Sequence, residues 1–229
     1  MTTVLAVVAH PDDEVLGCGG TLARHAAAGA DVHCIIVAEG ATSRYPKHDN
    51  GAAVSDVSKL RDAAANACAA LGASLPRMLG LPDNRLDGLD LLDIIKPIEE
   101  VISELRPSII YTHHGGDLSM DHRMTAQATL TSCRPVPDSP VKEIYAFETV
   151  SSTEWASMNR DTVFQPQHFV NISANWPAKK AALMCYASEL RAFPHPRSLE
   201  AIEALARWRG AAVGIGMAEA FEVVRQRIV

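Results

Sequence analysis

The sequence predicts an α/β fold, a three-layer sandwich in which a mostly parallel sheet is covered by helices on both faces. Three observations predict it. Short β-branched apolar runs alternate with longer Ala/Leu-rich stretches through the first half of the 229 residues. The runs are apolar throughout rather than at every second position, as strands buried on both faces are. Glycines stand where the helices should stop.

Taken in order, residues 4–9 suit a first strand, residues 16–28 a helix stopped by Gly29, and residues 32–38 a second strand. Residues 39–54 carry Gly40, Pro46, Asn50 and Gly51, a loop long enough to be functional. Ser55 is placed to cap a helix reaching Leu71, with Gly72 as its stop, and residues 77–81 suit a third strand. A third helix, residues 89–105, has to accommodate Pro97, and residues 108–112 follow as the fourth strand. In the less regular second half, residues 142–148, 168–172 and 219–225 suit strands, while residues 175–191 and 198–212 suit helices. No repeat, low-complexity tract or linker composition divides the chain, so a single domain over residues 1–229 is expected.

Two polar clusters interrupt this pattern at the carboxyl ends of strands. His10-Pro11-Asp12-Asp13-Glu14 follows the first, and a segment from His113 and His114 through Asp117, Ser119 and Asp121 to His122 follows the fourth. In the common doubly wound strand order these strands are neighbours, so the clusters should meet in the crevice where open α/β sheets bind ligands. Imidazoles with a carboxylate suit zinc, and three protein ligands leave one position for water. Adjacent carboxylates at Asp12 and Asp13 leave the backbone in different directions. One can then ligate while the other takes a proton from a metal-activated water.

Composition narrows the partners. A net charge of −6 gives no basic footprint for nucleic acid or an anionic membrane. The five cysteines are widely spaced and suit reduced core thiols in a cytoplasmic protein. The amino-terminal segment lacks a basic region ahead of its apolar run, and no run reaches the roughly 20 apolar residues of a membrane helix. A homo-oligomer is compatible with the sequence.

The segment AHPDDEVLGCGGTLARHAAAGADV resembles the opening of the PIG-L/LmbE family of zinc-dependent N-deacetylases, and GGDLSMDHRMTAQA resembles its second motif. The similarity continues into FPHPRSLEAIEALARWRG and AEAF. The resemblance implies a Rossmann-like fold, one Zn2+ per chain, and removal of an acetyl group from a small N-acetylated sugar or glycoconjugate. It implies His10, Asp13 and His122 as metal ligands and Asp12 as general base, with Arg61 and Asp83, more loosely, as substrate contacts. Several members carry a histidine three residues before the last ligand; here that position is Ser119. The donor to the oxyanion is therefore open between His195 and His114. Asp121 is expected to cap a helix beginning at His122, to support a ligand imidazole, or both.

Two rival readings remain. One is an amidase that cleaves a larger sugar-thiol conjugate with the same site. The other is a non-catalytic nucleotide-binding module, supported only by the glycines of Gly17-Cys18-Gly19-Gly20, for which close helix packing is the plainer account.

Overall fold

The computed structural model describes residues 2–45, 51–157 and 162–228. Seven strands, β1 (Thr3–Val8), β2 (Asp31–Ala38), β3 (Arg77–Leu81), β4 (Ile109–His113), β5 (Glu143–Phe147), β6 (His168–Asn171) and β7 (Ala218–Gln226), form one sheet in the order β3-β2-β1-β4-β5-β7-β6. The first five pair in parallel, and β7 runs antiparallel between β5 and β6. The helices are α1 (Asp13–Ala27), α2 (Gly51–Ala70), α3 (Leu91–Leu105), α4 (Met120–Ser132), α5 (Trp176–Cys185) and α6 (Leu199–Ala211). No helix among the described residues is long and apolar enough to cross a membrane.

The continuous apolar character of β1 has its cause in two cores. Val4, Ala6 and Val8 face a core completed by Leu22 of α1, Leu60 of α2 and Leu183 of α5. Leu5 and Val7 face another, completed by Ile94, Ile98 and Ile102 of α3. Alternate side chains of a strand point to opposite faces, so a strand covered on both sides must be apolar throughout. The four-residue spacing of those isoleucines lays one stripe of α3 on the sheet, and the helix runs unbroken through Pro97.

Strand bounds differ from expectation by a residue or two, whereas the helix starts differ for physical reasons. Helix α1 begins at Asp13, not Leu16, because Asp12 takes φ 102° and turns the chain. Asp12 O then accepts from Val15 N and Leu16 N. Asp13 and Glu14 thus occupy the first turn, where the helix dipole favours acids. Helix α2 begins at Gly51, so Ser55 lies inside it and does not cap it, and a short 3-10 turn, Thr42–Arg44, shortens the expected loop further. Pro46, His48 and Asn50 lie outside the described residues. Helix α5 stops at Cys185, and residues 186–198 form a turn-rich segment that returns to the carboxyl end of the sheet.

The glycines after β1 do not form a phosphate-binding turn. They lie inside α1, where a Cβ on Gly17 would stand 2.1 Å from the Phe147 ring and one on Gly20 would stand 2.9 Å from Ile172. Gly17→Ala is therefore expected to destabilise the fold by about 1–3 kcal/mol through overpacking. Denaturant unfolding measures it, and an unchanged midpoint would contradict the close packing of α1 on β5.

Candidate metal centre and active site

The chain climbs β1, crosses to β2 and β3 on one side, and returns as β4 on the other, so β1 and β4 flank the switch point. Their carboxyl ends carry the two polar clusters. Asp13, wholly buried, is where the clusters meet. Its Oδ2 accepts from His10 N at 2.8 Å. The same oxygen lies 3.4 Å from His10 Nδ1, 3.3 Å from His122 Nε2 and 3.4 Å from His113 Nε2. Its other oxygen, Oδ1, is buried with no hydrogen-bond partner among the described residues.

These residues fit a metal ion. One donor atom from each of His10, Asp13 and His122 lies within 4.8 Å of the others. A tetrahedral zinc with bonds of about 2.0–2.1 Å holds its donors about 3.3–3.4 Å apart. The 3.3 and 3.4 Å spacings from Asp13 Oδ2 match that value.

Each of the two imidazoles is backed by a carboxylate. His10 Nε2 lies 3.0 Å from Asp121 Oδ2, and since an ionised carboxylate only accepts, Nε2 carries the hydrogen and Nδ1 faces Asp13. His122 Nδ1 faces Asp117 Oδ1 at 3.1 Å. Asp117 is itself pinned by Ser119 N at 2.8 Å, by Thr153 Oγ1 at 2.6 Å and by Ser152 Oγ. Burial works against charging these imidazoles, yet the carboxylates overcome it and hold His10 up at about 10 and His122 at about 9. Protons and a divalent ion compete for the same nitrogens in such a field.

His10 Nε2, Asp83 and Asp121 form a second cluster of metal-ligand type. It reads as support, because Asp121 already accepts from Asn84 N at 2.8 Å and Leu86 N at 3.1 Å. Asp121 is not the cap of α4. That helix starts at Met120, and Ser119 caps it by accepting from His122 N at 3.4 Å.

Asp12 lies beside this cluster but is tied elsewhere. Its Oδ2 accepts from Arg197 Nη1 at 2.7 Å, and burial pushes its carboxyl up to about 7 against the pull of that guanidinium. Its φ of 102° is a left-handed backbone that costs a non-glycine residue energy, as strain at functional positions does. Glu14 steadies the turn from below, accepting from Asp12 N at 3.2 Å and from Tyr186 Oη at 2.6 Å.

A cavity of about 210 Å³ opens over His10, Asp12 and His122, with Ser43, Arg44, Asp83, Asn84, Glu189 and Arg197 in its walls. That is below the roughly 300–1,000 Å³ of drug-sized ligand pockets, so it suits a small polar group. Gly40 allows the close wall, since its φ is 78° and a Cβ there would stand 2.6 Å from Pro11 Cδ.

Not every residue singled out from the sequence reaches this cavity. Asp83 does, with Oδ2 accepting from Ser43 Oγ at 2.6 Å. Arg61 is exposed on α2 and is absent from the walls, where the arginines are Arg44 and Arg197. His114 is turned away: its Nδ1 lies 2.7 Å from Glu222 and its Nε2 2.7 Å from Thr162 O, so both nitrogens are spent. Strand alternation gives the inward position to His113, which stacks on His122 with ring centroids 4.0 Å apart. His113 Nε2 accepts from Ala9 N at 2.9 Å, and burial holds its pKa down to about 3, so it is a neutral wedge. His195 is half-buried outside the cavity, its Nδ1 accepting from Arg197 N at 3.0 Å.

The model of the family described as "PIG-L: GlcNAc-PI de-N-acetylase" matches residues 5–133, more than half of the chain and both clusters. The chain belongs to the PIG-L family. The uncharacterized deacetylase YaiS of Escherichia coli K12 is 30% identical over 79% of this chain and 88% of its own. A 1D-myo-inositol 2-acetamido-2-deoxy-alpha-D-glucopyranoside deacetylase of Mycolicibacterium smegmatis is 28% identical over 85% of this chain and 82% of its own. Among solved structures, the 4-carboxy-2-hydroxymuconate hydratase GalB of Pseudomonas putida KT2440 superposes with a TM-score of 0.79 at 21% identity, covering 100% of this chain and 98% of its own. At that identity the likeness speaks for the fold alone, and one fold hosts different reactions.

In this PIG-L chain, sequence reasoning passed over Arg44, Asn84, Glu189 and Arg197. Arg197 had a usable signal, since it ends the Pro194-His195-Pro196-Arg197 turn in which only the histidine was picked out. Glu189 and Arg44 had none: they pair at 2.8 Å across 145 positions.

Proposed function

We propose that this chain is a zinc-dependent hydrolase that removes the acetyl group from a small N-acetylated sugar or glycoconjugate. One observation carries the reading. Two imidazoles converge on Asp13 Oδ2 within 3.4 Å with donor spacings that suit zinc, while the neighbouring Asp12 stays off that cluster at the cavity wall. His10, Asp13 and His122 would hold the ion. When bound, zinc supplies Lewis acidity toward the acyl oxygen and the attacking water.

The chain's own residues do the rest. Asp12, raised to about 7 by burial, is poised to accept the proton of the attacking water and pass it to the leaving amine. Asp121 holds the His10 ring through Nε2, and Asp117 stands 3.1 Å from His122 Nδ1. Asp83, Asn84 and Ser43 offer hydrogen bonds to sugar hydroxyls. Names of relatives support the substrate class, since two of them are deacetylases and one acts on a 2-acetamido sugar.

A screen of N-acetylated sugars, scored for equal release of acetate and primary amine, tests the reaction. A larger acid in place of acetate would favour the conjugate amidase, and no amine release with any amide would sink the hydrolase. For the metal, about one zinc per chain is expected after dialysis at neutral pH, falling as acid protonates the two imidazoles. The sign follows from their raised pKa values: below about 9 protons compete increasingly with the ion. Metal analysis across pH checks this, and retention that is indifferent to acid would exclude histidine ligation.

A further inference from the structure

We propose that Arg197 is a catalytic residue of this site, holding Asp12 with Nη1 of its guanidinium and donating to the acyl oxygen of the substrate with Nη2. The inference rests on the proposed hydrolysis. There, water's oxygen bonds to the acyl carbon, the C–N bond breaks, and water's proton passes through Asp12 to the departing nitrogen. Negative charge rises on the acyl oxygen meanwhile, and a fixed donor aimed at it lowers the barrier.

The guanidinium is a planar fork with five N–H groups, and two contacts from different atoms fix its plane. Nη1 donates to Asp12 Oδ2 at 2.7 Å, and Nε donates to Ser151 Oγ at 2.8 Å. Nη2 has no partner among the described residues, although Arg197 lines the cavity and its side chain is only 24% exposed. The guanidinium is thus held rigid while keeping donors for a ligand.

The other cationic groups are engaged or less firmly fixed. His10 and His122 face Asp13, and Arg44, whose side chain is 47% exposed, is held among the described residues by one contact, to Glu189 at 2.8 Å. His114 has both nitrogens engaged away from the cavity, and His195 supports Arg197 through its backbone. The left-handed backbone of Asp12 adds a second reason for the clamp. A strained residue keeps its direction only when its surroundings fix it, and Arg197 is the side chain that grips its carboxylate.

The test compares Arg197→Ala, Arg197→Gln and Arg197→Lys with the parent, all loaded with zinc. Arg197→Gln keeps a donor on a shorter stem, so a poorly folded alanine variant does not end the test. Metal content should stay near the parent's, and the melting temperature, lowered by the loss of the Asp12 contact, should still show a cooperative fold at assay temperature. On a sugar that the parent deacetylates, kcat should fall about 10²–10³-fold in Arg197→Ala, with a much smaller change in KM. Added guanidinium chloride should restore part of the rate to Arg197→Ala and none to Arg197→Lys. Independently of turnover, calorimetry with methylphosphonate, a small tetrahedral anion, should find binding to the parent and at least about tenfold weaker binding to Arg197→Ala. Equal methylphosphonate affinity in parent and variant, no binding to the parent, or a folded, metal-loaded variant with unchanged kcat would each overturn the assignment. A parent that binds methylphosphonate through Arg197 yet releases no amine would instead overturn the deacetylase reading and uphold Arg197 as the anion donor.

Discussion

Asp12→Asn should keep its zinc and lose turnover by about 10²–10⁴-fold, whereas Asp13→Asn, one residue on, should lose the metal. The two side chains are chemically identical and differ only in where the turn after β1 sends them. Asp13 begins α1 and points its Oδ2 at His10, His113 and His122. A neutral amide there is a much poorer ligand, and it would also leave the imidazoles without the carboxylate that now opposes their burial. Asp12, in the left-handed region, points to Arg197. Asparagine tolerates that backbone better than most residues, so Asp12→Asn should fold and differ mainly in lacking a proton acceptor. Zinc content and kcat of the two variants, measured side by side, decide the matter. The opposite pattern of metal loss would exchange their roles, and two active, metal-loaded variants would mean the reaction occurs elsewhere.

Glu219→Ala should cost about 3–5 kcal/mol of stability, the usual consequence of leaving a buried charge without its partner. Lys179 Nζ donates to Glu219 Oε1 at 2.6 Å and to Leu16 O at 3.0 Å, with side chains only 4% and 5% exposed. Glu219 in turn accepts from Gly20 N at 2.9 Å and Thr21 N at 2.7 Å. The pair therefore fastens β7 and α5 to the middle of α1, the helix whose first turn carries Asp13. Total stabilities of about 5–15 kcal/mol make such a loss severe. Lys179→Met combined with Glu219→Gln should recover a good part of it, because no charge remains and the amide oxygen still accepts one backbone N–H. Urea unfolding of the single and double variants measures both. A cost under about 1 kcal/mol for Glu219→Ala would show that the charge is solvated or paired elsewhere.

The sheet was legible because its signal is local. A strand buried on both faces must be apolar at every position, as in β1, and an amphipathic helix must repeat its apolar residues every three to four positions, as in α3. The clusters after β1 and β4 were legible for the complementary reason, since polar runs directly after buried strands have no place in a core. Helix starts were less so. The left-handed turn at Asp12 that opens α1 three residues early leaves no mark in hydrophobic periodicity.

What the sequence determined by itself was the order of strands and helices, the two polar clusters, and through their motifs the family. Tertiary structure alone decided which histidine after β4 turns inward, because one residue of strand register separates His113, stacked on His122, from His114, bound to Glu222. It also decided that Asp121 braces His10 rather than capping α4, and that Arg197, not His195 or Arg61, stands at the cavity. Those choices depend on contacts between positions about a hundred or more apart: His10 with Asp121, and Asp12 with Arg197. No local pattern encodes such pairs, because the force that selects them is the cost of burying a polar group without a partner, and a partner is defined only once the chain has closed around it.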